Sequence, residues 1–188
     1  EADDIGCMLY LEDRLKEYEI IGVSSDKDWR TVFELDKLYQ WTKERFTNNE
    51  DMLGFTREQF LMYQSICGDS VDGFNGLKGA GKGTAEKLVR RYRTINNLLN
   101  NCYEDSFEEK DRFVKKALER LCSSEGIAEL KLGYHLAKIF RDTSKLNETE
   151  LKRYEEIVQD ILKYKKLEPN NYVSEALDEF FIESRAFD

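Results

Sequence analysis

The amino-acid sequence predicts an α/β segment that gives way near residue 55 to an all-helical region. Three observations carry this reading. Residues 2–18 form an amphipathic stretch that runs into a short apolar segment ending in acids. Six of the eleven glycines fall between residues 68 and 83. Beyond them every periodic stretch has the helical repeat.

In order, Ile5, Met8, Leu9, Leu11, Leu15 and Tyr18 keep close to a 3.6-residue period and predict a first helix over 2–18. Glu19-Ile20-Ile21-Gly22-Val23-Ser24-Ser25 suits a buried parallel strand. Asp26-Lys27-Asp28 then falls at the carboxyl end of that strand, where open α/β sheets place their sites. Thr31 to Trp41 is partly alternating (Val32, Phe33, Leu35, Leu38, Tyr39, Trp41) and predicts one or two short strands. Thr42 to Gly54 is polar loop with some helix. Thr56-Arg57-Glu58-Gln59 has the spacing of a capping box, and the helix behind it stops at Gly68. Further helices are expected over 84–92, 94–100, 106–121, 128–141 and 148–165, with an acidic, aromatic helix over 170–188.

Composition bounds the function. The 188 residues carry 29 Lys+Arg against 38 Asp+Glu, a formal charge of −9. No apolar run approaches the ~18 residues of a membrane span, and no signal peptide is visible. Cys7, Cys67, Cys102 and Cys122 are widely spaced, which points to free thiols in a reducing compartment. That compartment is the cytoplasm, or a nucleus or organelle. His135 is the single histidine, so multi-histidine metal sites are excluded and acid–base chemistry must use carboxylates. The opening Glu1-Ala2-Asp3-Asp4, without an initiator Met, reads as a start inside a larger protein or after processing.

Net acidity ordinarily argues against a nucleic-acid binder. Clustered acids that hold divalent cations reverse that argument locally. Three clusters stand in order: Glu1, Asp3 and Asp4; Asp26 and Asp28; Asp69 and Asp72. Hard cations want oxygen ligands, and two such ions about 3.5–4 Å apart stabilise both oxygens of a phosphodiester displacement. Each cluster alone is also ordinary helix-start or turn chemistry; order and combination lift the metal reading. Between them and the next helix lies Gly76-Leu77-Lys78-Gly79-Ala80-Gly81-Lys82-Gly83-Thr84-Ala85. Glycines let backbone N–H groups approach phosphate, and a helix N-terminus adds a positive dipole end. Lys78, Lys82, Lys87, Arg90, Arg91 and Arg93 make this the one basic stretch. A nucleotide P-loop is disfavoured, because Gly83 stands where Ser or Thr is needed.

Glu1-Ala2-Asp3-Asp4, Ser25-Asp26-Lys27-Asp28, Gly68-Asp69-Ser70-Val71-Asp72 and Gly76-Leu77-Lys78-Gly79-Ala80-Gly81 with Thr84-Ala85 resemble the structure-specific 5′ nuclease family. That family includes flap endonucleases, the 5′-exonuclease domain of bacterial DNA polymerase I and phage 5′-exonucleases. The match covers roughly residues 1–142, and the Asp-Asp form of the first motif looks more like the bacterial and phage branch. The resemblance implies an α/β fold with three parts. Residues 1–55 would be the C-terminal part of a parallel-sheet, PIN-like nuclease core. Residues 56–142 would be an all-helical helix-hairpin-helix (helix-three-turn-helix) DNA-binding region, and 143–188 a C-terminal helical extension. Glu1, Asp3 and Asp4 would serve one Mg²⁺ or Mn²⁺ ion, and Asp26, Asp28, Asp69 and Asp72 a second; Asp3, Asp26 and Asp69 would be the catalytic acids. Gly76, Lys78, Gly79, Gly81, Lys82, Gly83, Thr84 and Lys87 would grip duplex phosphates, with a K⁺ ion at the loop.

The implied activity is metal-dependent 5′-3′ exonuclease or flap endonuclease hydrolysis of branched or nicked DNA in replication or repair. Its substrates would be DNA with a 5′ flap, nick or free 5′ end, and RNA primers. Gly73 and Asn75 stand where the family usually has Asn and Pro, and Trp29 where an aliphatic residue is common. The family's further Asp ligands, its basic residue near the scissile phosphate and its helical arch lie upstream of Glu1. A second chain or an upstream segment is therefore an expected partner, with little cleavage by these residues alone. The alternative is a degenerate module that holds DNA junctions without cutting.

Overall fold

The computed structural model of the protein describes residues 2–71, 73–141 and 143–164. Glu1, Asp72 and the helix expected over 170–188 lie outside the described residues. The chain divides into two compact units, residues 1–142 and 143–188. The first contains the segments on both sides of residue 55.

The first helix, α1 (Ala2–Leu11), is shorter than its periodicity predicts. Glu12 turns extended, and its carboxylate accepts from the Arg14 N–H, opening a separate 3₁₀ turn over Asp13–Leu15. The expected strand over 19–25 contracts to β1 (Gly22–Val23), and the 31–41 stretch to β2 (Leu38–Gln40) preceded by 3₁₀ turns at Asp28–Thr31 and Leu35–Lys37. β1 and β2 pair in parallel, Gly22 against Leu38. β3 (Arg45–Phe46) closes the sheet antiparallel to β2. Aromatic bulk explains the short strands. Tyr10, Phe33 and Trp29 stack with ring centroids 4.1 and 5.1 Å apart. Any side chain at Gly22 would strike Phe33 and Trp29. This stack, with Cys7, Val32, Leu38 and Ile139, is the smaller of two apolar clusters.

The larger cluster belongs to the helices. Thr56 and Gln59 form the expected capping box of α2 (Arg57–Cys67). A hairpin of β4 (Gly68–Asp69) and β5 (Phe74–Asn75) follows directly. Then come α3 (Lys82–Tyr92), α4 (Ile95–Glu108), α5 (Arg112–Leu121) and α6 (Ser124–Ala137). The single helix expected over 106–121 is broken, because Asp111 turns extended and its carboxylate accepts the N–H groups of Phe113 and Val114, starting α5 afresh. Ser123 likewise starts α6 earlier than expected, and the extended Lys138 ends it earlier. Ile66, Leu88, Leu98, Leu118 and Leu130, each on a different helix, meet in the core. Gly133 lets α6 approach α2 so closely that a Cβ there would lie 2.4 Å from the Ser65 carbonyl. In the second unit, α7 (Glu148–Tyr164) opens on reciprocal bonds between Asn147 and Glu150. Among the described residues no helix is long and apolar enough to cross a membrane.

Candidate functional site

The acids after β1 are held by a ladder of local bonds. The Ser24 N–H donates to the Tyr39 carbonyl at 3.0 Å, carrying the parallel pairing one step past β1. The Asp26 N–H donates to Ser24 Oγ, and the Asp28 N–H to Asp26 Oδ1 at 3.0 Å. Such turns are what short acidic side chains favour after a strand. The Thr31 hydroxyl donates back to the Asp28 carbonyl at 2.8 Å. Two contacts from outside the turn complete the arrangement. Gln64 on α2 donates its amide N–H to Asp28 Oδ1, and Lys27 forms an ion pair with Asp69.

Asp69 is the most buried of these acids, its side chain 1% exposed. Its other carboxylate oxygen accepts the Val71 N–H at 2.9 Å. A carboxylate removed from water in this way needs a positive partner, and Lys27 provides it. Asp69 opens the β4–β5 hairpin, so the turn after β1 is tied to the start of the glycine-rich segment.

Asp3 and Asp4 approach from α1. Asp4 Oδ1 accepts the Phe140 N–H at 2.9 Å, which brings the end of α6 back to the start of the chain. Arg141 donates to the Thr31 carbonyl at 2.9 Å. Burial, and then the negative charges of Asp3 and Asp4, push the Cys7 thiol up to about 12; Arg141 opposes them and Asp26 adds to them. Asp3, Asp4 and Asp26 therefore share one electrostatic neighbourhood. Arg30 lies beside it. Burial lowers its pKa against the pull of Asp51, Asp26 and Asp28. Among the described residues no group of three or more His, Cys, Asp or Glu side chains is close enough to hold a metal ion.

The glycine segment is a compact loop. The Leu77 N–H donates to the Ile66 carbonyl and the Ala80 N–H to the Leu77 carbonyl, at 2.8 and 2.9 Å. Leu77 and Ala80 are buried, so the loop is pinned from within. Gly79 has φ +87°, a region that disfavours side chains. Gly81 caps α3 with no side-chain bond, and the first intrahelical bond runs from the Ala85 N–H to the Gly81 carbonyl. The N–H groups of the first turn thus face outward at the positive end of the helix. A Cβ at Gly79, Gly81 or Gly83 would meet nothing within 4 Å, so the outer surface of the loop is bare backbone.

The basic run is largely consumed inside the protein. Lys87 pairs with Asp111 at 2.5 Å, Arg90 with Glu86 at 2.8 Å, and Arg91 with Asp105 and Glu109 at 3.0 and 2.8 Å. The Lys78 N–H donates to Glu129. No ion pair is formed by the Lys78 or Lys82 ammonium groups among the described residues, and both lysines are exposed. A cavity of about 350 Å³ lies here, between Gly79, Gly81, Lys82 and Gly83 on one side and Asp111 and Phe113 at the start of α5 on the other.

Several of these residues gave no sequence signal. Gln64 sits inside an amphipathic helix, Arg141 at the end of the stretch expected to be helical over 128–141, and Phe113 beside an apolar stripe. Lys27 was legible as the residue between two acids, but its pairing with Asp69 crosses 42 positions and is a tertiary fact.

A family model described as "5'-3' exonuclease, C-terminal SAM fold" matches residues 55–168. The chain is 27% identical over 146 residues to the thermostable DNA polymerase I of Thermus aquaticus, covering 76% of this chain and 16% of that protein. It is 28% identical over 147 residues to the flap endonuclease Xni of Shewanella sp. (strain MR-4), covering 76% of this chain and 52% of that one. It is 27% identical over 160 residues to a 5'-3' exonuclease of Aquifex aeolicus, covering 81% and 50%. The chain therefore spans about half the length of the last two relatives and a smaller share of the first. Among solved structures, T5 5'-exonuclease with divalent metal ions (zinc) bound superposes with TM-score 0.64 at 21% identity, covering 86% of this chain and 59% of that one. A flap endonuclease of bacteriophage T5, in a pseudo-enzyme-product complex with DNA and metal ions, superposes at 0.57 and 20% identity, covering 87% and 60%. At such identities the likeness to the solved structures is one of fold. With the family model matching well over half of its length, the chain belongs to the 5'-3' exonuclease C-terminal SAM-fold family.

Proposed function

We propose that the chain supplies the duplex grip and part of the metal site of a metal-dependent 5′ nuclease acting on branched or nicked DNA. The observation that carries this reading is the link through Asp69. Lys27, from the acidic turn after β1, pairs with Asp69, and Asp69 opens the hairpin whose second strand leads into the bare glycine loop. Acids and phosphate grip are thereby held in one compact unit.

The donor chemistry fits hard divalent cations, since every acidic candidate is an oxygen ligand, and the buried Asp69 already pairs with a cation. Asp26, Asp28 and Asp69, with Asp3 and Asp4 and with Glu1 and Asp72 beyond the described residues, would hold Mg²⁺ or Mn²⁺. When bound, such ions activate water and neutralise charge developing on the phosphodiester. The chain's own groups prepare the site: Gln64 fixes Asp28, the Phe140 N–H fixes Asp4, and Lys27 pairs with Asp69. At the other end of the hairpin, Gly76, Lys78, Gly79, Gly81, Lys82, Gly83 and Thr84 would bind backbone phosphates, with K⁺ at the loop. Lys87 would lie beside them with its ammonium on Asp111, offsetting that carboxylate's repulsion of phosphate. Contacts of this kind position a duplex without reading sequence, so DNA shape and a free 5′ end would select the substrate, RNA primers included. Further acids would come from an upstream segment or a second chain.

The test is cleavage of a labelled 5′-flap duplex with Mg²⁺ by the complete gene product. Asp26→Ala and Asp69→Ala should abolish cutting and leave duplex affinity within a few-fold. A second reading rests on the glycine loop, whose bare backbone and exposed Lys78 and Lys82 can meet phosphate with no metal bound. On that reading the chain belongs to a junction-binding module that does not cut. Tight flap binding without Mg²⁺-dependent cleavage, unaffected by both substitutions, would establish it.

A further inference from the structure

We propose that Phe113 is a nucleic-acid contact, the ring that packs against the sugar next to the phosphate seated on the glycine loop. The inference rests on the loop reading above and adds a residue, and an apolar component of binding, to it. α5 buries Val114, Ala117, Leu118 and Leu121 along one stripe. Phe113 lies off that stripe and is 65% exposed. Its backbone N–H is already used by the Asp111 cap, so the ring has no part in starting the helix. Exposed single rings are ordinary on protein surfaces; what sets Phe113 apart is that it lines the cavity beside the glycine loop.

Its position says what the ring meets. Phe113 lines, from α5, the cavity of about 350 Å³ that Gly81, Lys82 and Gly83 line from the glycine loop, where the two glycines offer bare backbone. That volume is at the lower end of the range for small-ligand sites, ~300–1,000 Å³. A free phosphate would need only the loop side. A sugar-phosphate unit carries an anion and, beside it, an apolar C–H face, which matches the two sides together. The charged groups facing the cavity are Lys82, Lys87 and Asp111. The Asp111 carboxylate is committed to Lys87 and to the N–H groups of Phe113 and Val114, so its repulsion of phosphate is largely compensated. A ring on the sugar reads no base, so its contribution is the same for every duplex sequence.

The signature of this contact is that it is apolar. Each phosphate met by a cation adds about 0.9 to the slope of log affinity against log salt, whereas a ring on a sugar adds nothing. The experiment is fluorescence anisotropy of a labelled 5′-flap duplex over a salt series, without divalent metal, using the full chain. Phe113→Ala should weaken binding on the order of tenfold at every salt concentration, leaving the slope unchanged. Phe113→Gln, which keeps bulk but loses the ring, should behave the same, and Phe113→Tyr should bind like the parent. Lys82→Ala should lower the slope by about 0.9. If Lys82→Ala lowers the slope and Phe113→Ala binds like the parent, the Phe113 contact is refuted and the loop reading stands. If neither substitution changes affinity or slope, both are refuted.

Discussion

Gly76 and Gly83 belong to the same glycine-rich segment, yet alanine should act on them in opposite ways. A Cβ at Gly76 would lie 2.2 Å from the Ile66 carbonyl oxygen, 2.4 Å from the Gly68 nitrogen and 2.6 Å from the Ile66 carbonyl carbon. All three are backbone atoms at the junction of α2 and β4, where no side chain can swing aside. Ordinary contact needs about 3.5 Å, so the loop must move out by over an ångström. That movement breaks the bond from the Leu77 N–H to the Ile66 carbonyl, 2.8 Å long and beside the buried Leu77. Overpacking costs about 1–3 kcal/mol, and an unmade buried bond about 1–3 kcal/mol more. Gly76→Ala should therefore lose about 3 kcal/mol of a domain stability of ~5–15 kcal/mol. With a slope near 2 kcal/mol/M, the urea midpoint falls by ~1.5 M. Gly83→Ala meets nothing within 4 Å and lies in the first turn of α3. It should keep or slightly raise the stability, by up to ~1 kcal/mol, while weakening duplex binding. The assays are urea unfolding followed by circular dichroism and anisotropy with a labelled duplex. A Gly76→Ala midpoint at the parent value would refute the packing argument.

Two further outcomes test the electrostatics. Arg45, with Lys43 and the Asn48 N–H, holds the Asp51 carboxyl well below the usual carboxylate range, and its side chain is 3% exposed. A lowered folded pKa means that this stabilisation is complete above the unfolded value near 4 and is lost as pH falls through the folded value. Asp51→Asn should lose about 2 kcal/mol at pH 7, and its deficit in urea unfolding should shrink from pH 5 towards pH 2; a deficit constant with pH would count against the ion-pair assignment. Lys27→Met removes the ammonium partner of buried Asp69 and should lower the melting temperature. Mn²⁺ should then raise it more than in the parent, because a cation binding the folded state stabilises by mass action; equal shifts in the two proteins would argue against metal at Asp69.

Local chemistry decided what was readable in advance. The Thr56–Gln59 capping box, the stop at Gly68 and the glycine loop depend on residues a few positions apart, so spacing alone reveals them. Helix ends were harder. The break before α5 comes from Asp111, a capping residue inside a run whose apolar repeat continues across it, and the early start of α6 from Ser123, a cap in the stretch read as a connection. The strands were overestimated because Ile20 and Phe33 pack into the smaller apolar cluster instead of lengthening a sheet.

By itself, then, the sequence determined the order of the acidic clusters, the α/β-to-helical change of character and the glycine loop, all properties of neighbouring residues. Only the tertiary structure decided which charges remain available. Lys87, Arg90 and Arg91 look like phosphate ligands in the sequence but are met by Asp111, Glu86, Asp105 and Glu109. Lys27 is drawn to Asp69, and Phe113 is placed on the wall of the glycine-loop cavity. Most of these partners are brought together by helix packing across tens of residues. Charge pairing depends on distance in space, which a linear pattern does not contain.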